Sequence, residues 1–283
     1  MRRRKKYRRN LILSTSLGFT LGLLLGMFIG FPLSRSGSPR SSGASLPELL
    51  EWIRRPEYIS ENVSPVVSGR AIDVLAVASG AQPFGVVCTL GVKVVSPGHG
   101  GVYLDIDPTL IGFEFQEASR TAIRVACQVT GLEPDEDNVG ISGVDVFFRV
   151  VGPGEEVVVQ NIDGPSAGAA TTVALIAALE NKRINPETVI TGTIQPDGSV
   201  GEVGGIYYKA KAAAEKGKKL LLVPSGQSKV IMYQQVTRQV GWWRWTTYQP
   251  VEVDLNEWSE NQGWGLEIRE VSNIQQVIEL MLE

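Results

Sequence analysis

Residues 164–168 read Gly164-Pro165-Ser166-Ala167-Gly168, and they fall where a strand-like run, Val157 to Gln160, gives way to a helical one, Ala167 to Glu180. This junction constrains the chain more than any other segment. The first turn of a helix has N–H groups without intrahelical partners, and here they are expected to surround the Ser166 hydroxyl. Gly164 and Gly168 lack a Cβ and let a second backbone approach closely, while Pro165 fixes one backbone angle ahead of the helix. The expected loop is rigid and open, with a hydroxyl beside amide donors able to receive an oxyanion.

A serine hydroxyl is a weak nucleophile until a neighbouring base takes its proton. The single histidine, His99, lies in the turn-like Pro97-Gly98-His99-Gly100-Gly101 and is expected to be solvated, which argues against a histidine triad. Lysine can serve instead if burial lowers its pKa, because a low-dielectric site disfavours the ammonium form. Lys209 is placed for this, 43 residues after the serine on the helical run Ile206 to Lys216. At 100° per residue it shares a small apolar stripe with Ala212 and Ala213, while Lys211, Glu215 and Lys218 fall on another face. Lys211 and Lys218 are therefore expected in solvent.

The ordered set Asp163 to Gly168, Thr191-Gly192, Gly204-Gly205 and Lys209 resembles the proteolytic domain of the Lon family, and the next strand, Lys219 to Pro224, resembles the family's as well. The resemblance extends over roughly residues 85 to 283 and is nearest to archaeal membrane-anchored Lon-like proteases that lack the ATPase. It implies an α+β domain of mixed strands and helices, with Ser166 as nucleophile and Lys209 as base. Gly164, Ala167, Asp163 and Thr191 take supporting places. Asp163 is either a turn residue or an orienting group, and Thr191 is either a β-branched strand residue or a hydrogen-bond partner of the lysine. Taken alone, Ser166 is also a good helix N-cap. The chain departs from the pattern at Thr193, where many Lon proteases carry an acidic residue, and at Val158 to Gln160, where they carry histidines.

Other chemistries lack their residues. There is no Gly-x-x-x-x-Gly-Lys-Ser/Thr phosphate loop and no His-Glu-x-x-His run, and Gly98 to Gly101 is too slight a signal for a nucleotide loop. Cys88 and Cys127 lie 39 residues apart without metal-ligand spacing and read as buried hydrophobes, a disulfide being the alternative. No cofactor or metal is expected.

The N-terminus carries a separate signal. Residues 2–9 hold seven lysines and arginines, and Leu11 to Leu33 runs for 23 residues without a charge, long enough to span a bilayer. An uncleaved anchor is favoured over a signal peptide, because the apolar run exceeds an ordinary h-region and no clear cleavage site follows Pro32. The basic flank is expected to stay cytoplasmic, which puts the rest of the chain outside the cytoplasm. Gly18, Gly22, Gly26 and Gly30 recur every four residues on one helix face, a spacing that favours helix association and a homo-oligomer. Beyond residue 33 the chain has 20 basic and 30 acidic residues, a net −10 that argues against a nucleic-acid partner.

The chain then divides into a basic flank and anchor (1–33), a Ser/Gly/Pro-rich tether with a short helix around Leu46 to Ile53 (34–70), and the Lon-like domain (71–283). Strands are expected at Ala71–Val77, Gly85–Val95, Gly101–Ile106 and Val144–Val151, a helix at Phe115–Val129, and a turn at Gln195-Pro196-Asp197-Gly198. The Trp-rich stretch Gly241-Trp242-Trp243-Arg244-Trp245 has no counterpart in the common Lon pattern. Packing in a core between strands is the preferred reading, and an amphipathic hairpin at a membrane interface or on unfolded substrate is the other. The function these features imply is an ATP-independent, membrane-anchored serine endopeptidase acting on unfolded or membrane-associated polypeptides. The competing reading is a non-catalytic scaffold that keeps the fold.

Overall fold

The computed structural model describes residue 47, residues 50–51, 66–78, 83–105, 110–153 and 161–283. The expected anchor, most of the 34–70 tether with its short helix around 46–53, and the run 157–160 lie outside the described residues; residues 66–70, expected in the tether, belong to the first strand. Among the described residues no helix is long and apolar enough to cross a membrane.

In chain order the elements are β1 (Val66–Ala78), β2 (Phe84–Ser96), β3 (Val102–Asp105), β4 (Leu110–Ile111), α1 (Phe113–Thr130), β5 (Asp145–Val151) and β6 (Asn161–Ile162). A 3-10 turn (Pro165–Ala167) leads into α2 (Gly168–Leu179), followed by β7 (Thr188–Ile190), β8 (Thr193–Ile194) and β9 (Val200–Gly201). Then come α3 (Ile206–Glu215), β10 (Leu220–Pro224), β11 (Lys229–Val240), β12 (Trp243–Asp254), α4 (Leu255–Asn261), β13 (Glu267–Val271) and α5 (Ile274–Met281). Among the described residues the mixture of sheets and five helices is consistent with the α+β class expected from the sequence.

One sheet runs β1-β2-β5-β3, with β1, β2 and β5 antiparallel and β3 parallel to β5, and a second runs β13-β10-β7 with all strands parallel. The strands of the first sheet sort their side chains by the period of two. Val86, Cys88, Leu90, Val92 and Val94 of β2 enter a large core with α1 and α2, while Val87, between two of them, packs against a smaller core built on α3. Helix α2 is buried nearly all round, which explains a sequence without a polar face. Its two internal threonines satisfy their hydroxyls locally, Thr171 on the Ala167 carbonyl at 2.9 Å and Thr172 on the Gly168 carbonyl at 2.8 Å.

Cys88 and Cys127 are both buried and unbridged, and burial pushes the Cys88 thiol up to about 12. The Gln195–Gly198 turn joins β8 to β9, with Asp197 accepting from the Ser199 amide at 2.9 Å.

Two expectations are corrected. Lys218 is buried rather than solvated: its Nζ lies 2.7 Å from Asp73 Oδ2 and donates to the Pro186 carbonyl at 2.7 Å. The helix ends at Glu215, so the 100° spacing that put Lys218 beside Lys211 no longer applies there. The Trp-rich stretch is not core. It forms the tip of a two-stranded ribbon, β11–β12, whose Trp242 is 85% exposed and Trp243 64%. Of the other two tryptophans in this region, Trp258 is half-buried and packs edge-on against Trp264 with ring centres 4.2 Å apart.

Helix α3 can lie on β2 only because residue 85 is glycine. A Cβ there would stand 2.6 Å from the Tyr208 carbonyl carbon and 2.9 Å from Ala212 Cβ. Gly85→Ala is accordingly expected to lower stability by about 1–3 kcal/mol, as overpacking of a close contact does. Chemical denaturation of the two proteins reads this, and an unchanged midpoint would show that α3 has room to move.

Candidate active site

Lys209 sits one turn into α3, its amide bonded to the Gly205 carbonyl at 3.1 Å, with Ala210, Ala212 and Ala213 buried around it. Only 3% of its surface is exposed. That burial lowers its pKa from 10.5 to about 8. Its Nζ donates to Thr191 Oγ1 at 3.1 Å, a neutral hydroxyl that offers the ammonium no counter-charge.

Thr191 carries this contact on to the serine loop. Its hydroxyl accepts from Lys209 and donates to the Ser166 carbonyl at 3.4 Å, a long bond that one proton can serve. The next residue reinforces it: the Gly192 amide donates to the same carbonyl at 3.0 Å, and the Gly192 carbonyl accepts from the Ala169 amide at 3.1 Å. Thr191-Gly192, between β7 and β8, thus ties the serine turn to Lys209. The hydrogen bonds join Lys209 to the Ser166 backbone through Thr191, not to the Ser166 hydroxyl directly.

Ser166 is half-buried in the 3-10 turn that starts at Pro165. Ahead of it Gly164 has φ +107°, ψ 146°, a region that a side chain all but forbids. Ala167 is buried and ends the turn. The Gly168 amide returns to the Pro165 carbonyl, and Ala169 is spent on Gly192, so on this turn any donor left for an oxyanion lies ahead of Gly168.

Asp163 acts at a distance that the sequence did not show. Its Oδ1 accepts from the amides of Glu114 at 2.9 Å and Phe115 at 3.2 Å, at the start of α1, and from Gly164 at 2.9 Å. Helix α1 has no cap of its own, Gly112 being its N-cap residue, so a carboxylate from 49 residues away caps it and pins the serine turn to it. The clue was faint: α1 begins after a glycine where a Ser, Thr, Asp or Asn would ordinarily stand.

His99 is exposed, and its loop is held by Asp145, which accepts from the His99 and Gly101 amides at 2.9 Å each. Lys211 is also exposed, 3.9 Å from Glu215. Among the described residues no group of three His, Cys, Asp or Glu side chains is placed to hold a metal ion.

Residues 154–240 match the model of the Lon protease (S16) C-terminal proteolytic domain, a stretch that contains both Ser166 and Lys209. That stretch is therefore similar to the Lon-family proteolytic domain. The chain is 29% identical over 191 residues to a Lon protease of Desulfovibrio desulfuricans, covering 67% of this chain and 20% of that protein. An archaeal Lon protease of Thermoplasma volcanium is 29% identical over 163 residues, 58% of this chain and 23% of the relative. A Lon protease of Phenylobacterium zucineum reaches 46% identity over 63 residues, 22% of this chain and 8% of the relative. The chain thus spans about a fifth of the length of the first two Lon proteins.

The buried lysine makes stability depend on pH with a definite sign. The folded chain releases the Lys209 proton near pH 8, whereas the unfolded chain keeps it up to the ordinary value of 10.5. Below pH 8 both states are protonated and the fold bears the whole cost of burying the charge; from pH 8 to 10.5 that cost fades. Lys209→Met is expected to raise the melting temperature at pH 7, with the gain shrinking toward pH 10. Melting curves across that range check it, and a pH-independent difference would contradict the assignment of charge burial. Separately, Asp163→Ala is expected to lower stability by about 0.5–2 kcal/mol through loss of the α1 cap. Faster exchange of the Glu114 and Phe115 amides is its specific signature, and unaltered exchange would rule the cap out.

Proposed function

We propose that this chain is a membrane-anchored serine endopeptidase that works without ATP, with Ser166 as nucleophile and Lys209 as general base. The observation that carries this reading is the Lys209 amine, buried without a counter-charge and tied through Thr191 to the backbone of Ser166. A lysine in that setting loses its proton near pH 8, far below the ordinary 10.5, so a fraction of the molecules hold a neutral amine that can accept a proton.

In the proposed reaction Ser166 Oγ attacks the carbonyl carbon of the scissile peptide bond and its proton passes to the neutral Lys209 amine. The oxyanion of the tetrahedral intermediate is met by backbone N–H groups of the serine turn, ahead of Gly168. Lys209 then gives its proton to the leaving amine, the C–N bond breaks, and an acyl-enzyme remains. A water molecule attacks the ester with Lys209 again taking the proton, which returns to Ser166 as the carboxylic product departs. Thr191 positions the amine, and Asp163, Gly164 and the buried Ala167 hold the turn.

Substrates follow from the same parts. Residues 1–283 contain no phosphate loop, so folded proteins are open to this chain only through their own local unfolding. Flexible polypeptides are therefore the proposed substrates. The basic flank and uncharged run of residues 2–33 support an anchor with the catalytic domain outside the cytoplasm, and the Gly18 to Gly30 spacing supports a homo-oligomer.

The test is cleavage of an unfolded polypeptide by the full chain. Ser166→Ala and Lys209→Ala are each expected to lower the rate by about 10³-fold or more, as removal of a nucleophile or its base does. Lys211→Ala is expected to leave it unchanged. The rate should rise with pH through about 8 as Lys209 loses its proton, and ATP with Mg²⁺ should not alter it. An active Lys209→Ala protein would overturn the base assignment. Failure of Ser166 to react with a serine-directed phosphonate would point to the scaffold reading.

A further inference from the structure

The β11–β12 ribbon stands apart from the chemistry. Its cross-strand register pairs Val240 with Trp243 and Arg238 with Trp245, so these four side chains share one face of the tip, with Trp242 in the turn beside them. All five are exposed, and Trp242 and Trp243 rest on each other with ring centres 4.7 Å apart. A large apolar group left in solvent at the end of a long projection is uncommon in a protein that has no use for it.

Charge narrows what covers the tip. From Val230 to Val251 the ribbon has no Asp or Glu and two arginines, Arg238 and Arg244, whereas the chain beyond residue 33 carries a net −10. The ribbon is the cationic, aromatic end of an acidic domain. Indoles favour the boundary between headgroups and acyl chains, where an apolar ring and a polar N–H are both accommodated, and arginines favour phosphates beside them. The 23-residue uncharged run at Leu11 to Leu33 supplies a reason for a bilayer to be near.

We propose that the tip of this ribbon docks on an anionic bilayer surface, with Trp242, Trp243 and Trp245 at headgroup depth and Arg238 and Arg244 on lipid phosphates. The contact would hold the peptidase domain at the membrane as a second attachment beside the proposed anchor. It rests on the proposed anchoring only for the nearness of the bilayer, and on the peptidase activity not at all.

The experiment uses the full chain with Gln239→Cys labelled by an environment-sensitive nitrobenzoxadiazole dye. Both native cysteines are buried, so the new thiol takes the label. The dye is read in detergent micelles, in phosphatidylcholine vesicles, and in vesicles that also contain phosphatidylglycerol, each with and without a spin-labelled quencher lipid. Docking predicts a blue-shifted, lipid-quenched emission in the phosphatidylglycerol vesicles and a weaker one in phosphatidylcholine. Arg238→Gln with Arg244→Gln should cut the ratio of docked to water-exposed dye about 30-fold, each basic residue near an anionic surface contributing about 1 kcal/mol. Trp242→Ser with Trp243→Ser should abolish the shift, with far-UV circular dichroism reporting whether each variant stays folded.

A dye that remains water-exposed on phosphatidylglycerol vesicles overturns the proposal. Shielding that occurs equally without lipid and grows with protein concentration overturns it in favour of a second copy. Shielding that appears only on adding an unfolded polypeptide overturns it in favour of substrate capture. Washing the vesicles with alkaline carbonate tests the anchor separately: a chain that washes off refutes the anchor, while the dye still reports on the ribbon.

Discussion

A lysine amine shut away from water and bonded to a neutral hydroxyl is the interaction on which the site depends. Exposed on a helix, Lys209 would be an ordinary ammonium; buried on α3 among alanines, it is drawn down to about 8. Keeping it there requires the helix to lie hard against the sheet. The alanines at 210, 212 and 213 and the missing side chain at Gly85 make that approach, and the smaller core beneath α3 fixes the height of the helix. Packing and electrostatics are one fact here, since any gap that let water reach Nζ would return its pKa toward 10.5.

The serine turn is held from two sides by hydrogen bonds to backbone groups, one set made by Gly192 and the other by the Asp163 carboxylate. Gly192 takes the Ser166 carbonyl and returns its own to Ala169, and Asp163 fastens the start of the turn to the N-terminus of α1. Both attachments use groups that a helix start or a short strand has to satisfy anyway. The turn is therefore rigid without a disulfide or a metal, and the Ser166 hydroxyl is left outside this network.

Much of this was legible in the sequence because it is local. The strand, helix and turn positions around β1, β2, α1 and α2 follow from hydrophobic period, and the small stripe at Lys209, Ala212 and Ala213 announced a buried face. What escaped depends on pairs far apart. Asp163 meets residues 49 positions away, and no pattern within either segment encodes that meeting. The Trp-rich ribbon escaped for another reason. Alternation of apolar and polar residues identifies a strand with one apolar face, but it does not say that anything lies on that face. Three tryptophans suggested a core; a ribbon leaving the domain has none to offer.

Two of the buried lysines, Lys209 and Lys218, show how narrowly the sequence could have decided between structure and chemistry. Lys209 and Lys218 lie nine positions apart, both within 10% of full burial. Lys218 meets the Asp73 carboxylate at 2.7 Å and the Pro186 carbonyl, and Asp73 in turn accepts from Thr89 at 3.1 Å, a satisfied ion pair that fastens the end of the helical segment to β1. Among the described residues, the Lys209 amine donates its hydrogen bond to Thr191 and meets no carboxylate. Burial alone does not distinguish them; the carboxylate does, because a counter-charge answers an ammonium and a hydroxyl merely orients it. Thr191 is thus as consequential for what it lacks as for what it holds. A carboxylate in its place would stabilise the charged lysine and raise its pKa, removing the neutral amine on which a serine nucleophile would depend.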